Sequence, residues 1–131
     1  MKKSVFLSVI AVWFLTMAST VQDIIWLDKD LEKTSQSEAI YYKVGFNLEG
    51  EVTYYYKSKA VYRKVFYANK KEDGKFYEYY ASGELKVAGR YENGLQEGNW
   101  KIYDKNGKIK QKGKYTKGEK VGVWKTFYKN N

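Results

Sequence analysis

The decapeptide GNWKIYDKNG, residues 98–107, returns 24 residues later as GVWKTFYKNN, residues 122–131. Sliding the chain along itself by 24 extends the agreement far beyond these two segments. Phe76, Trp100 and Trp124 fall in one column, Tyr79, Tyr103 and Phe127 in another, and Tyr91 and Tyr115 in a third. The glycines follow the same lattice: Gly50, Gly74, Gly98 and Gly122 form one column, and Gly83 with Gly107, Gly89 with Gly113, and Gly94 with Gly118 form three more. Ten of the eleven glycines sit on it, so the period belongs to the backbone as well as to the core. A fixed period of this length is the mark of a repeat architecture, in which each unit is one supersecondary element stacked on its neighbours. The clear units are 74–97 and 98–121, with a half unit at 122–131 and a degenerate unit at 50–73. The degenerate unit keeps Val52, Tyr55, Tyr67 and Asn69 in register but has Lys59 and Val65 where later units have glycine. A first repeat is often atypical because it caps the stack.

Each unit reads as two strands. An aromatic segment ends at Tyr103, Asp104–Gly107 turns the chain, and Lys108–Tyr115 returns it. Asn-Gly between two strand-like runs is a strong hairpin signal, because both residues accept the positive φ of a tight turn. Ser82-Gly83 serves the same purpose one unit earlier, and Asn93-Gly94 and Lys117-Gly118 lead into the next unit. The expected fold is all-β: an open, elongated, single-layer antiparallel meander of 24-residue two-strand repeats. Period-two alternation places Ile109, Gln111, Gly113 and Tyr115 on one face and Lys110, Lys112 and Lys114 on the other. Leu85, Val87, Gly89 and Tyr91 oppose Lys86, Ala88 and Arg90 in the same way. Gly89 and Gly113, lying inside strands, imply close approach of another group, here a ring of the neighbouring strand. The last strand, Gly122–Tyr128, is expected to have no return strand.

Ahead of the repeats, Lys2 and Lys3 precede an apolar run, Val5–Met17, and small residues follow at Ala18, Ser19 and Thr20. That order describes a secretory signal peptide over residues 1–19 and predicts a periplasmic or extracellular protein, with an uncleaved N-terminal membrane anchor as the alternative. The run is shorter than the roughly 20 residues a membrane span needs. Residues 20–39 read as a polar lead-in and 40–131 as the repeat domain. There is no cysteine, so neither a thioether-linked lipid nor a disulfide is available. Fourteen tyrosines, six phenylalanines and four tryptophans offer the buried area instead, since a tyrosine can keep its hydroxyl wet while its ring is covered.

The composition removes most chemistry. Histidine and cysteine are absent, and with them the commonest general base, the thiolate nucleophile and the usual zinc ligands. Asp28, Asp30 and Glu32, and the pair Glu72 and Asp73, read as solvated loop charge. The sequence therefore predicts no enzyme, no cofactor and no metal site. Charge is uneven: residues 21–74 carry nine basic and nine acidic side chains, residues 75–131 thirteen and six. A basic half suits an acidic protein or an anionic membrane surface, or protects strand edges with lysine. Export and the regular use of rings as packing disfavour nucleic acid. The expected partner is another protein, met by Trp100, Tyr103, Trp124 and Phe127, with an edge-strand dimer as a further possibility. Lys108, Lys110, Lys112 and Lys114 are the candidate contacts to an anionic surface, where each charge is worth roughly 1 kcal/mol. Gly74, Gly83, Gly89, Gly94, Gly98, Gly107, Gly113, Gly118 and Gly122 are read as turn and packing residues.

Two motifs carry a family resemblance. Tyr80, Gly83, Leu85, Lys86, Gly89 and Tyr91 spell YxxGxLKxxGxY, and Asn93, Gly94, Gly98, Trp100, Lys101 and Tyr103 spell NGxxxGxWKxY. In these the chain resembles the MORN repeat variant of bacterial proteins of the YwqK antitoxin type. Residues 74–128 match well, residues 40–73 loosely. The segment IWLDKDLEKTSQSEAIYYKV from Ile25 is similar to the lead-in of exported members. The resemblance implies an open, elongated antiparallel sheet and little about activity; the faces and edges of such a sheet suit a non-catalytic interaction scaffold, with immunity against a cognate toxin as the alternative.

Overall fold

A computed structural model describes residues 22–128, so the expected signal segment lies outside the described residues. These residues form nine strands: β1 (Ile24–Leu27), β2 (Tyr41–Val44), β3 (Gly50–Tyr56), β4 (Val61–Ala68), β5 (Lys71–Tyr79), β6 (Leu85–Glu92), β7 (Leu95–Tyr103), β8 (Ile109–Thr116) and β9 (Glu119–Thr126). They make one sheet in the order of the sequence, antiparallel throughout. The meander is open and has no helix among the described residues.

The turns explain the first glycine columns. Asp104 Oδ1 accepts from the backbone N–H groups of Asn106 (2.9 Å) and Lys108 (3.0 Å), closing the β7–β8 hairpin. Between units, Asn93-Gly94 and Lys117-Gly118 both take positive φ at both positions, the two-residue turn whose twist suits a hairpin. The degenerate unit keeps this backbone without its glycines: Lys59 (φ 73°) and Lys70 (φ 61°) occupy the left-handed region.

The strand limits differ from the sequence reading in three places. Strand β7 starts directly after the Asn93-Gly94 turn, so the aromatic strand is longer than its aromatic stretch. Strand β9 runs from Glu119 to Thr126, not from Gly122 to Tyr128. Ile24–Leu27, within the polar lead-in, adds a strand on β2, and Ile25 and Leu27 are buried in the core. Four apolar residues outside the period gave no repeat signal. The segment after β1 folds back on its outer side, with Leu27 bridged to Lys33 and Thr34 N–H donating to Trp26 O at 3.0 Å.

Two β-bulges recur in each unit and change which face each side chain meets. One inserts an extra residue in the return strand: Tyr62, Lys86 and Lys110 in turn. A bulge bends the strand and interrupts strict alternation. Tyr62 joins the buried core beside Arg63, and Lys86 reaches the core-face carboxylate of Glu78 at 3.2 Å. The expected alternation is therefore corrected. Leu85 and Ile109, lying before the bulge, are outside the core cluster, and Lys110 leaves the row of Lys112 and Lys114. The second bulge lies between units, where β5, β7 and β9 each carry two extra residues opposite the preceding strand. Gly74, Gly98 and Gly122 sit in these insertions with positive φ.

The core is one face of the sheet: Ile25, Leu27, Val52, Tyr54, Tyr62, Val65, Phe76 and Trp100. A side chain at Gly89 would overlap the ring of Trp100, and one at Gly113 the ring of Trp124. The equivalent pair in the degenerate unit is Val65 against Phe76, which face each other in register. Trp100 and Trp124 thus each have a bare backbone beside them, whereas the smaller ring of Phe76 has a valine. Gly89→Val should destabilise the protein by about 2 kcal/mol, as overpacking does. Adding Trp100→Phe should recover much of that loss, with urea denaturation of the two variants measuring the coupling.

Candidate functional site

The core face and its reverse make two different surfaces at the C-terminal end of the sheet. On the core face, Phe76, Tyr91, Trp100, Tyr115 and Trp124 form a continuous edge-to-face row. Successive ring centroids are 5.5, 5.4, 5.7 and 5.0 Å apart, within the favourable range for aromatic pairs. A groove of about 210 Å³ runs over this row. At its inner end Arg63 donates from Nε to Glu78 at 2.9 Å, and the guanidinium lies over the rings of Tyr62 and Phe76. Burial opposes the Arg63 charge, but Glu78 and Tyr62 outweigh it and raise its pKa.

The reverse face is basic. Lys101, Lys112 and Lys125 stand directly opposite one another across β7, β8 and β9, with Asn99, Lys114 and Val121 in the neighbouring row. Together with Val123 they line a shallow groove of about 390 Å³. None of these four lysines forms an ion pair among the described residues. Phe127 belongs to this side, its ring 5.7 Å from Lys112 Nζ.

The four aromatic residues expected to meet a partner do not form one surface. Trp100 is only 4% exposed and is a packing residue. Tyr103 is half-buried and offers its carbonyl to the Tyr80 hydroxyl at 2.7 Å. Trp124 is half-buried on the core face, its indole N–H on Lys114 O at 3.1 Å. Phe127, 47% exposed, lies on the reverse face. The lysine set divides as well. Lys108 lies in the turn, Lys110 sits at the bulge, and Lys112 and Lys114 join Lys101 and Lys125. The latter two share a column of the 24-residue lattice. Val121 and Val123, with Val123 80% exposed, gave no signal because isolated valines are ordinary in any strand.

No group of three or more acidic, histidine or cysteine side chains is placed to hold a metal among the described residues. The Asp28–Glu32 cluster is a turn, in which Asp28 Oδ1 accepts from the N–H groups of Asp30 and Glu32.

A single-layer sheet of regularly bulged hairpins, with its rings in columns, defines a β-meander repeat protein. The chain belongs to the MORN repeat variant family, whose pattern matches residues 48–69, 72–93 and 96–117. The matches start 24 residues apart, and the first coincides with the degenerate unit. No curated protein is similar enough to the chain to be matched to it.

Two measurements check this arrangement. Glu78 has a nearly buried side chain between two cations, so Glu78→Gln should cost about 2 kcal/mol in chemical denaturation. That is less than a fully buried pair costs, because Lys86 remains partly in water. Burial also raises the pKa of Tyr54, Tyr56, Tyr62, Tyr67 and Tyr91 above the ordinary 10.0. The unfolded chain then releases these protons first as pH rises, so the contribution of these tyrosines to stability is constant well below pH 10 and falls above it. A combined tyrosinate absorbance and circular dichroism titration should show ionisation of these groups arriving together with unfolding.

Proposed function

We propose that the protein is a non-catalytic scaffold that acts outside the cytoplasm and holds another protein at the β7–β9 end of its sheet. The observation that carries this reading is the half-exposed end of the aromatic row. Trp124 repeats the environment of Trp100 on one side only, and β9 pairs with β8 alone among the described residues. Sheet edges accept strands, and apolar side chains standing on them supply the contact area. Val123 and Phe127 are exposed beside this edge.

A photoreactive side chain in place of Val123 should cross-link a discrete protein in extract from cells that make the native chain, and the same group at Lys57 should not. Equal, diffuse labelling from both positions would count against a scaffold with a defined contact end.

A specific observation favours a second reading, peripheral binding to an anionic lipid surface: Lys112, Lys114 and Lys125 share a face with exposed Val123 and Phe127. Retention on anionic vesicles at low salt, abolished by 0.5 M salt, is its expected result, since such attraction is screened. No retention at low salt would eliminate it.

A further inference from the structure

The repeat lattice specifies what a strand docked on β9 must look like, and we infer that the partner of this scaffold presents an extended segment reading acid–any–apolar–Tyr. The inference rests on the scaffold reading above and adds the chemistry of the partner. It follows from three earlier hairpins that share one register. Gly50 faces Tyr67, Gly74 faces Tyr91 and Gly98 faces Tyr115, so the position opposite Gly122 calls for a tyrosine. There it would set its edge against Trp124, as Tyr115 does against Trp100 at 5.7 Å.

The next position, opposite Val123, departs from the lattice. Its counterparts are Glu51 opposite Phe66, Lys75 opposite Arg90, and Asn99 opposite Lys114. Val123 brings an apolar side chain where its two nearest counterparts are polar, and it is 80% exposed. An apolar residue is therefore required opposite it. Trp124 faces the position held by Val65, Gly89 and Gly113 in the earlier units. Glycine is imposed there only when the following strand lays a tryptophan over it, so the docked strand is unrestricted at that point.

Charge fixes the remaining position. Lys101, Lys112 and Lys125 are three like charges in direct cross-strand opposition, an arrangement that destabilises a sheet. None has an ion-pair partner among the described residues. The residue opposite Lys125 extends this row, at the 4.7–4.9 Å spacing of neighbouring strands, and a carboxylate there is the complementary group. A second copy of this chain docked through β9 would instead bring its own Lys125, together with the lysine row behind it, to a face that is already basic.

The test uses the full chain and the synthetic peptide Thr-Val-Glu-Ser-Val-Tyr-Thr, whose Glu falls opposite Lys125 and whose Tyr falls opposite Gly122. Titration followed by amide chemical shifts should perturb β9 and the Trp124 indole. Replacing the peptide Glu by Lys should weaken binding at least 10-fold, and Lys125→Glu in the protein should restore it. Replacing the peptide Tyr by Ala should weaken binding to a similar degree, and circular dichroism of Lys125→Glu should match the wild-type spectrum. The inference is overturned if the Lys-containing peptide binds equally well, if the shifts avoid β9, or if β9 is occupied by a second copy in a concentration-dependent dimer. A silent peptide alongside retained cross-linking from position 123 overturns this specification alone. Loss of both removes the scaffold reading as well.

Discussion

The bare backbone beside Trp100 and Trp124 is the constraint on which the repeat part of the sheet depends. A single layer has no second sheet to close over its core, so every tryptophan must find its cover within its own layer. Trp100 lies on Gly89 and Trp124 on Gly113, with Tyr91 edge-on between Phe76 and Trp100 and Tyr115 edge-on between the two tryptophans. The two-residue insertion at Gly98 and Gly122 accompanies this arrangement, placing extra backbone next to the ring on the same strand. Tryptophan, mid-strand glycine and bulge therefore recur together, whereas the bulge at Gly74 persists where Val65 faces the smaller Phe76. Val65 beside Phe76 shows the same rule with smaller parts.

Much of this was legible in the sequence, and the reasons are physical. Turn glycines must adopt positive φ, tryptophans demand space, and both requirements repeat at a fixed interval, so the meander and its hairpins appear on the lattice. Side-chain direction was harder to read. Alternation assumes an unbroken pleat, but one extra residue at Tyr62, Lys86 and Lys110 breaks it in every unit. That insertion carries no glycine and no turn residue to announce itself. Ile24–Leu27 gives no signal for a related cause: a four-residue strand ahead of the first unit stands outside the period. The basic face was half-visible, since Lys101 and Lys125 share a column, but its third member comes from the intervening strand and needs the register to be found.

The site was less legible than the fold because packing and recognition use the same residue types here. Trp100 and Trp124 are equivalent in sequence, yet one is enclosed by strands on both sides and the other on one side only. Likewise Tyr103 and Phe127 share a column, but the first lies within a complete hairpin and the second follows the end of β9. Neighbouring strands separate these pairs, and residue identity does not.

One further consequence follows from how contacts are distributed. The substantial contacts all lie between consecutive strands, and the two strands of a unit present the same register to the unit before and the unit after. The sheet therefore has no fixed length. A segment of 24 residues duplicated at the Glu97–Gly98 junction would find its ring, its glycine and its bulge already matched on both sides. Such a chain can lengthen by copying itself while the folded-back segment on β1 and the surface around β9 stay unchanged at its two ends. Reach, and with it the distance between whatever those two ends hold, is then a quantity that gene duplication sets without designing a new core.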